Sequence, residues 1–198
     1  MGNRSGLTIG VAVAIAAGIG LAFWFRMPAL ELTAGTALPE PRKIDPFALV
    51  DQQGRILDAA ALQGRWTLLF TGFTHCPDIC PTTLATLAEL DQRLGPAAPR
   101  FLFVSVDPER DTPERIAAYL EHFDPDLVGA TGTRDAIESF TRGLGLAQVR
   151  NPGVRGEYTV DHSAALVLID PRARLAGYFQ PPYDIDALEA DLARLPGG

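Results

Sequence analysis

The chain has 198 residues, enough for one packed domain of roughly 150 residues plus an appendage. A hydrophobic content of 47% with 21% charged residues excludes a wholly disordered chain and a wholly membrane-embedded one. The formal charge of −7 argues against nucleic acid as a partner, since phosphate contacts need clustered Lys and Arg, and suits basic protein partners.

In chain order, the first feature is Leu7 to Phe25, nineteen residues without a charge. A helix of that length rises about 28 Å, close to the hydrocarbon thickness of a bilayer. Arg4 precedes the run, and Trp24 with Arg26 stands where an interfacial anchor belongs, so residues 1–26 read as an uncleaved, single-pass signal anchor. The alternative is a cleaved signal peptide, because Leu32-Thr33-Ala34 offers small residues before Gly35. Either reading exports the remainder. One arginine flanks each end of the run, so the orientation signal is small.

Residues 27–43 mix Pro, Ala, Gly and Thr with little periodicity and read as a linker, which leaves 44–198 as the folded domain. Two short strands around a turn at Gly54 are expected between Phe47 and Leu57, then a buried strand over Trp66–Phe70. A helix follows from about Thr82 to Leu94, with Leu84, Leu87, Ala88 and Leu94 near one face. Phe101–Val106 reads as a second core strand. Pro113–Phe123 reads as a helix with Pro in its first turn and Thr112 as N-cap. A short strand over Leu127–Ala130, a helix over Thr133–Leu144 and a strand over Ala164–Ile169 come next. The turn Asp170–Ala173, a strand over Leu175–Phe179 and a helix over Ile185–Leu195 complete the order. Strand–helix–strand–helix followed by a hairpin and a helix is the order of a thioredoxin-like α/β sandwich.

The only two cysteines, Cys76 and Cys80, fall between the first core strand and its helix, so thiol chemistry is confined to one place. Ligand sites of open α/β sheets form at such junctions. Spacing of i, i+4 brings the two Cβ atoms to about 5–6 Å, near enough for one metal ion or, with adjustment, a disulfide. Pro77 and Pro81 stiffen the loop. The helix N-terminus favours thiolate, and Asp78 opposes it with negative charge. Of three histidines, His162 in Val160-Asp161-His162-Ser163 stands before a core strand whose mouth can face the cysteine loop. His75, next to Cys76, is expected to point away from a metal held by both sulfurs. His122 reads as a surface residue complementing a helix C-terminus. Two thiolates and one imidazole form a soft, low-coordinate set that suits Cu(I), tolerates Cu(II) and falls short of a closed structural zinc site. Asp161 reads either as an orienter of the imidazole or as a strand cap.

Four blocks carry a resemblance: Gly72–Pro81 with its CxxxC, Val106-Asp-Pro-Glu-Arg-Asp-Thr112, Leu127–Arg134 and Val160–Ser163. In this order they resemble the Sco/SenC family over roughly Ile44 to Leu195. The resemblance implies a thioredoxin-like fold and copper held by Cys76, Cys80 and His162. It also implies a role in building the binuclear copper centre of cytochrome c oxidase. An oxidase subunit that bears copper and an upstream copper donor are the implied partners, and the periplasmic side of a bacterial inner membrane the implied location. Asp107 and Asp111 in the second block read as turn and helix entry, not as ligands. The rival reading is a thiol–disulfide reductase that keeps the oxidase's copper-ligand cysteines reduced, with Cys76 and Cys80 as its redox pair. A peroxiredoxin-like peroxidase and zinc as the metal are further alternatives.

Overall fold

The computed structural model describes residues 30–153 and 158–196. The expected membrane span at Leu7–Phe25 lies outside them, and no helix of the described residues is long and apolar enough to cross a membrane.

Thr67–Gly72 (β4) is buried at every position because it runs through the middle of an eight-stranded sheet. Its neighbours are Arg100–Ser105 (β5), parallel, and Leu166–Ile169 (β9), antiparallel. Val128–Thr131 (β6) continues the parallel side. The hairpin Leu49–Asp51 (β2) and Ile56–Leu57 (β3) closes that side. Arg174–Phe179 (β10) and Gly35–Lys43 (β1) extend the other side. Among the described residues four α-helices connect or cover these strands: Ile79–Leu94 (α1), Pro113–Leu120 (α2), Arg134–Gly143 (α3) and Ile185–Leu192 (α4). This is the expected thioredoxin-like α/β architecture.

Local chemistry accounts for most boundaries. Thr112 caps α2 by accepting from the Arg115 N–H at 3.3 Å, and Thr133 caps α3 by accepting from Ala136 N–H. At Gly129 an added Cβ would lie 2.2 Å from Ile116 Cγ2, so glycine is what lets α2 settle onto β6.

Two differences from the sequence reading stand out. The linker expected over 27–43 is part of the folded body from residue 30 onward: Leu30 and Leu32 pack on the core, and Thr33 and Ala34 donate their N–H groups to buried Asp191. Gly35–Lys43 then pairs with β10, and Pro39 with Pro41 sits inside the register shift between Ala37 and Arg42. Prolines are tolerated on an edge strand at such an irregularity, so their presence hid a strand. The second difference is a ribbon that stands apart from the main sheet, Gln148–Pro152 (β7) antiparallel to Tyr158–His162 (β8).

Candidate metal centre

Topology brings the three expected ligands together. The cysteine loop leaves the C-terminal end of β4, and antiparallel β9 begins at that same end, with Phe70 opposite Leu166. Four residues before Leu166, His162 therefore stands over the loop. One donor atom each from Cys76, Cys80 and His162 lies within 4.8 Å of the other two. Ligands bound to a first-row ion at about 2.3 Å (sulfur) and 2.0 Å (nitrogen) in a trigonal plane stand about 4 Å apart, so the donor set fits one ion.

The helix starts three residues earlier than expected, at Ile79, so Cys80 occupies its second position and Pro81 its third. Proline costs nothing there, because first-turn N–H groups lack intrahelical partners. The free N–H of Cys80 donates to Cys76 Sγ at 3.4 Å. Cys80 is completely buried, Cys76 is half-buried, and both are free thiols. Burial pushes the Cys80 thiol far up, and the adjacent Cys76 adds to this, so without metal Cys80 is protonated. Gly72 makes room for this sulfur, since a Cβ there would lie 2.9 Å from Cys80 Sγ.

His162 Nε2 lies 3.4 Å from Cys80 Sγ, and its Nδ1 lies 3.1 Å from the Ser163 carbonyl. A carbonyl only accepts, so the Nδ1 proton is held there and the Nε2 lone pair faces the sulfurs. The same carbonyl accepts from the buried Thr71 hydroxyl at 3.2 Å. Phe70 and Phe73 meet the imidazole edge to face at 5.8 and 5.9 Å. Burial holds His162 below the ordinary histidine value, opposed by the Ser163 carbonyl and by Asp161, so the ring is neutral and able to ligate at neutral pH.

The other sequence candidates fall elsewhere. In β8 the inward positions are Tyr158, Val160 and His162 and the outward ones Thr159 and Asp161, so Asp161 is on the opposite face from the imidazole. Its carboxylate accepts from Asn151 Nδ2 at 2.6 Å, and the orienting contact belongs to Ser163. Asp78 precedes α1 without a side-chain cap bond; only its carbonyl is engaged, by Thr82. As expected, His75 turns away from the sulfurs, toward Asp111 and Arg115. His122 is exposed, with Nδ1 2.6 Å from the Ala118 carbonyl.

Asp107 and Asp111 do more than shape a turn. Fully buried Asp111 accepts from Thr74 N–H at 2.9 Å, Thr74 Oγ1 at 2.6 Å and Ser105 Oγ at 2.6 Å, which fastens the segment before Cys76 to β5. Buried Asp107 takes Arg110 and the Tyr158 hydroxyl. A cleft of about 430 Å³ between Phe73, Cys76, Pro77, Ile79 and residues 159–162 leaves the centre open on one side. A second acidic group, Asp91, Asp124 and Asp126, is remote from it in sequence and holds no cysteine or histidine.

Comparison with known proteins points to one family. The SCO1/SenC family model matches residues 36–196. A Stutzerimonas stutzeri protein, named as a candidate copper-binding protein, is 37% identical over 162 residues, covering 80% of this chain and 79% of that one. The mitochondrial SCO1 homolog 1 of Arabidopsis thaliana is 35% identical over 148 residues, 72% of this chain but 44% of that protein. The chain thus spans about half the length of such mitochondrial relatives. Among solved structures, Bradyrhizobium japonicum ScoI with copper bound superposes with a TM-score of 0.71 at 38% identity, covering 77% of this chain and 98% of that one. With the match running through the cysteine loop and on past His162, the chain belongs to the SCO1/SenC family.

Proposed function

We propose that this chain binds copper through Cys76, Cys80 and His162 and hands it to the binuclear copper centre of cytochrome c oxidase during assembly. The observation that carries this reading is the mutual approach of two thiols and one neutral imidazole within 4.8 Å, at a site open to one side. Soft thiolates select Cu(I), and three donors leave a position through which a receiving ligand can enter. Relatives with copper bound support the choice of metal. Residues 1–26 tether the domain to the bacterial inner membrane, with the site on the periplasmic side. The test is anaerobic Cu(I) titration of the reduced full chain with X-ray absorption, comparing Cys76→Ser, Cys80→Ser and His162→Ala. Two sulfurs and one imidazole nitrogen are expected around the ion. A first shell lacking either sulfur, or a His162→Ala protein that binds as tightly as the parent, sinks the reading.

A second reading uses the same pair in disulfide exchange, favoured by the asymmetry of the cysteines. Cys76 is accessible, and Cys80 lies buried behind it. The Cys76 thiolate attacks a partner disulfide and releases one partner thiolate. Cys80, once deprotonated, then attacks the mixed disulfide, forming Cys76–Cys80 and releasing the second partner thiol, so two electrons pass to the partner. Such exchange has little need of the imidazole, so His162→Ala separates the readings: it weakens copper binding and leaves exchange rates intact.

A further inference from the structure

Among the described residues the β7–β8 ribbon makes its backbone ladder only with itself, and it carries His162, a proposed ligand, at one end. A two-stranded ribbon is marginal on its own in water, so side-chain anchors must fix where His162 stands. One end is clasped near the ligand by Ser163, whose N–H donates to the Ala147 carbonyl and whose Oγ accepts from Ala147 N–H, each at 2.9 Å.

The anchor at the other end is Tyr158, on the same inward face as His162 and roughly 13 Å along the strand. Its hydroxyl donates to buried Asp107 at 2.6 Å, and its carbonyl accepts from Arg110 Nη1 at 3.2 Å. Its ring lies between two guanidinium groups, Arg110 at 3.9 Å and Arg150 at 3.4 Å from the centroid. Arg110 also pairs with Asp107 and approaches the Phe73 ring at 5.7 Å, and Phe73 is itself edge-on to His162. Glu109 adds ion pairs to Arg150 on β7 and Arg134 on α3. Asp107, Glu109 and Arg110 thus all grip the ribbon.

We infer that Tyr158 is a positioning residue for copper binding: anchored on Asp107 and Arg110, it holds the free ribbon in the register that points His162 at the two sulfurs. The inference rests on the three-ligand copper reading. Tyr158→Phe keeps the ring and its stack and removes only the bond to Asp107.

The test measures Cu(I) affinity by chelator competition in the parent, Tyr158→Phe, His162→Ala and the double variant, with X-ray absorption of each loaded protein. Tyr158→Phe is expected to weaken binding about 10- to 100-fold, the usual effect of losing an outer partner of a ligand. Its spectrum should keep two sulfurs and lose imidazole scattering. In the His162→Ala background the same change should have no effect, because its route is through the imidazole. Equal losses in both backgrounds, or no loss in the parent background, overturn the inference and leave the copper reading standing. A His162→Ala protein as tight as the parent overturns both. Should Tyr158→Phe fail to fold, Arg150→Ala, which strips the outer side of the stack, carries the same comparison.

Discussion

Gly72→Ala is the sharpest probe of how the buried sulfur is seated. The added Cβ would lie 2.8 Å from Phe103 Cε2, 2.9 Å from Cys80 Sγ and 3.2 Å from Phe70 Cε1. Ordinary contacts between such atoms are about 3.5–4.0 Å, so the two nearest fall short by roughly 0.6–1.2 Å. All three neighbours are buried and none can swing into solvent. Overpacking of this kind costs about 1–3 kcal/mol, which for a domain of this size lowers Tm by roughly 2–12 °C. A metal–thiolate bond is about 2.3 Å long, and a sulfur pushed by a quarter of that no longer meets the other donors. Copper affinity should therefore fall at least about tenfold, equivalent to about 1.4 kcal/mol. The assay pairs calorimetric melting of metal-free protein with Cu(I) chelator competition, and Gly54→Ala is the control. Gly54 has φ +78 and nothing within 4 Å of the place an added methyl would take, so its variant should lose stability without losing copper. A Gly72→Ala protein with parental Tm and parental copper affinity refutes the reasoning.

The cysteines should alkylate unequally: in reduced, metal-free protein near pH 8, iodoacetamide followed by mass spectrometry should label half-buried Cys76 at least about tenfold faster than Cys80, whose thiol is buried and raised, and equal rates would contradict the burial assignment. Asp111→Ala leaves Thr74 N–H, Thr74 Oγ1 and Ser105 Oγ without their acceptor, which should cost at least about 2 kcal/mol and weaken copper binding, while Asp111→Asn keeps one oxygen and part of both; a denaturant midpoint unchanged in Asp111→Ala would remove its anchoring role. Burial lowers the folded pKa of His162, so the unfolded chain takes up a proton near pH 6.5 that the folded chain refuses. The stability of metal-free protein is then fully present above about pH 6.5 and is lost as pH falls through the lower folded value. Urea midpoints from pH 7.5 to 5 should fall less in His162→Gln than in the parent, and parallel curves would show that His162 does not carry the loss.

Much of this was legible in the sequence, for reasons that particular residues make plain. Leu68, Leu69 and Phe70 form an unbroken apolar run because β4 is covered on both faces, and such a run can hardly be anything but a core strand or buried helix. Thr112 announced its helix because a cap acts within three residues. What escaped depends on partners distant in the chain. β7 reads Gln-Val-Arg-Asn-Pro, and its strand character comes from pairing with β8 and from the anchors that Asp107, Glu109 and Arg110 supply. Asp107 and Asp111 have local roles visible in sequence, but their burial beneath Tyr158 and Thr74 joins positions 51 and 37 residues apart. Asp161 is the instructive case: beside His162 it read as an orienting partner or a strand cap, whereas it lies within the strand Tyr158–His162, where period-two alternation sends neighbours to opposite faces.

The two proposed chemistries begin at one atom. Cys76 Sγ is the accessible sulfur beside the open cleft, while Cys80 lies completely buried under it and His162 is walled by Phe70 and Phe73. An incoming thiolate, whether it comes to share a metal ion or to exchange a disulfide, therefore meets Cys76 first. Cys80 holds a different position in the two cases: as a ligand it would release its proton to solvent as the ion takes its place, and as a resolving thiol it must lose that proton while still buried. Burial raises the cost of losing that proton in both, and a cation between the sulfurs and the imidazole would offset it electrostatically. Loss of His162, expected to weaken copper binding and to leave exchange intact, is therefore the change that separates the two readings.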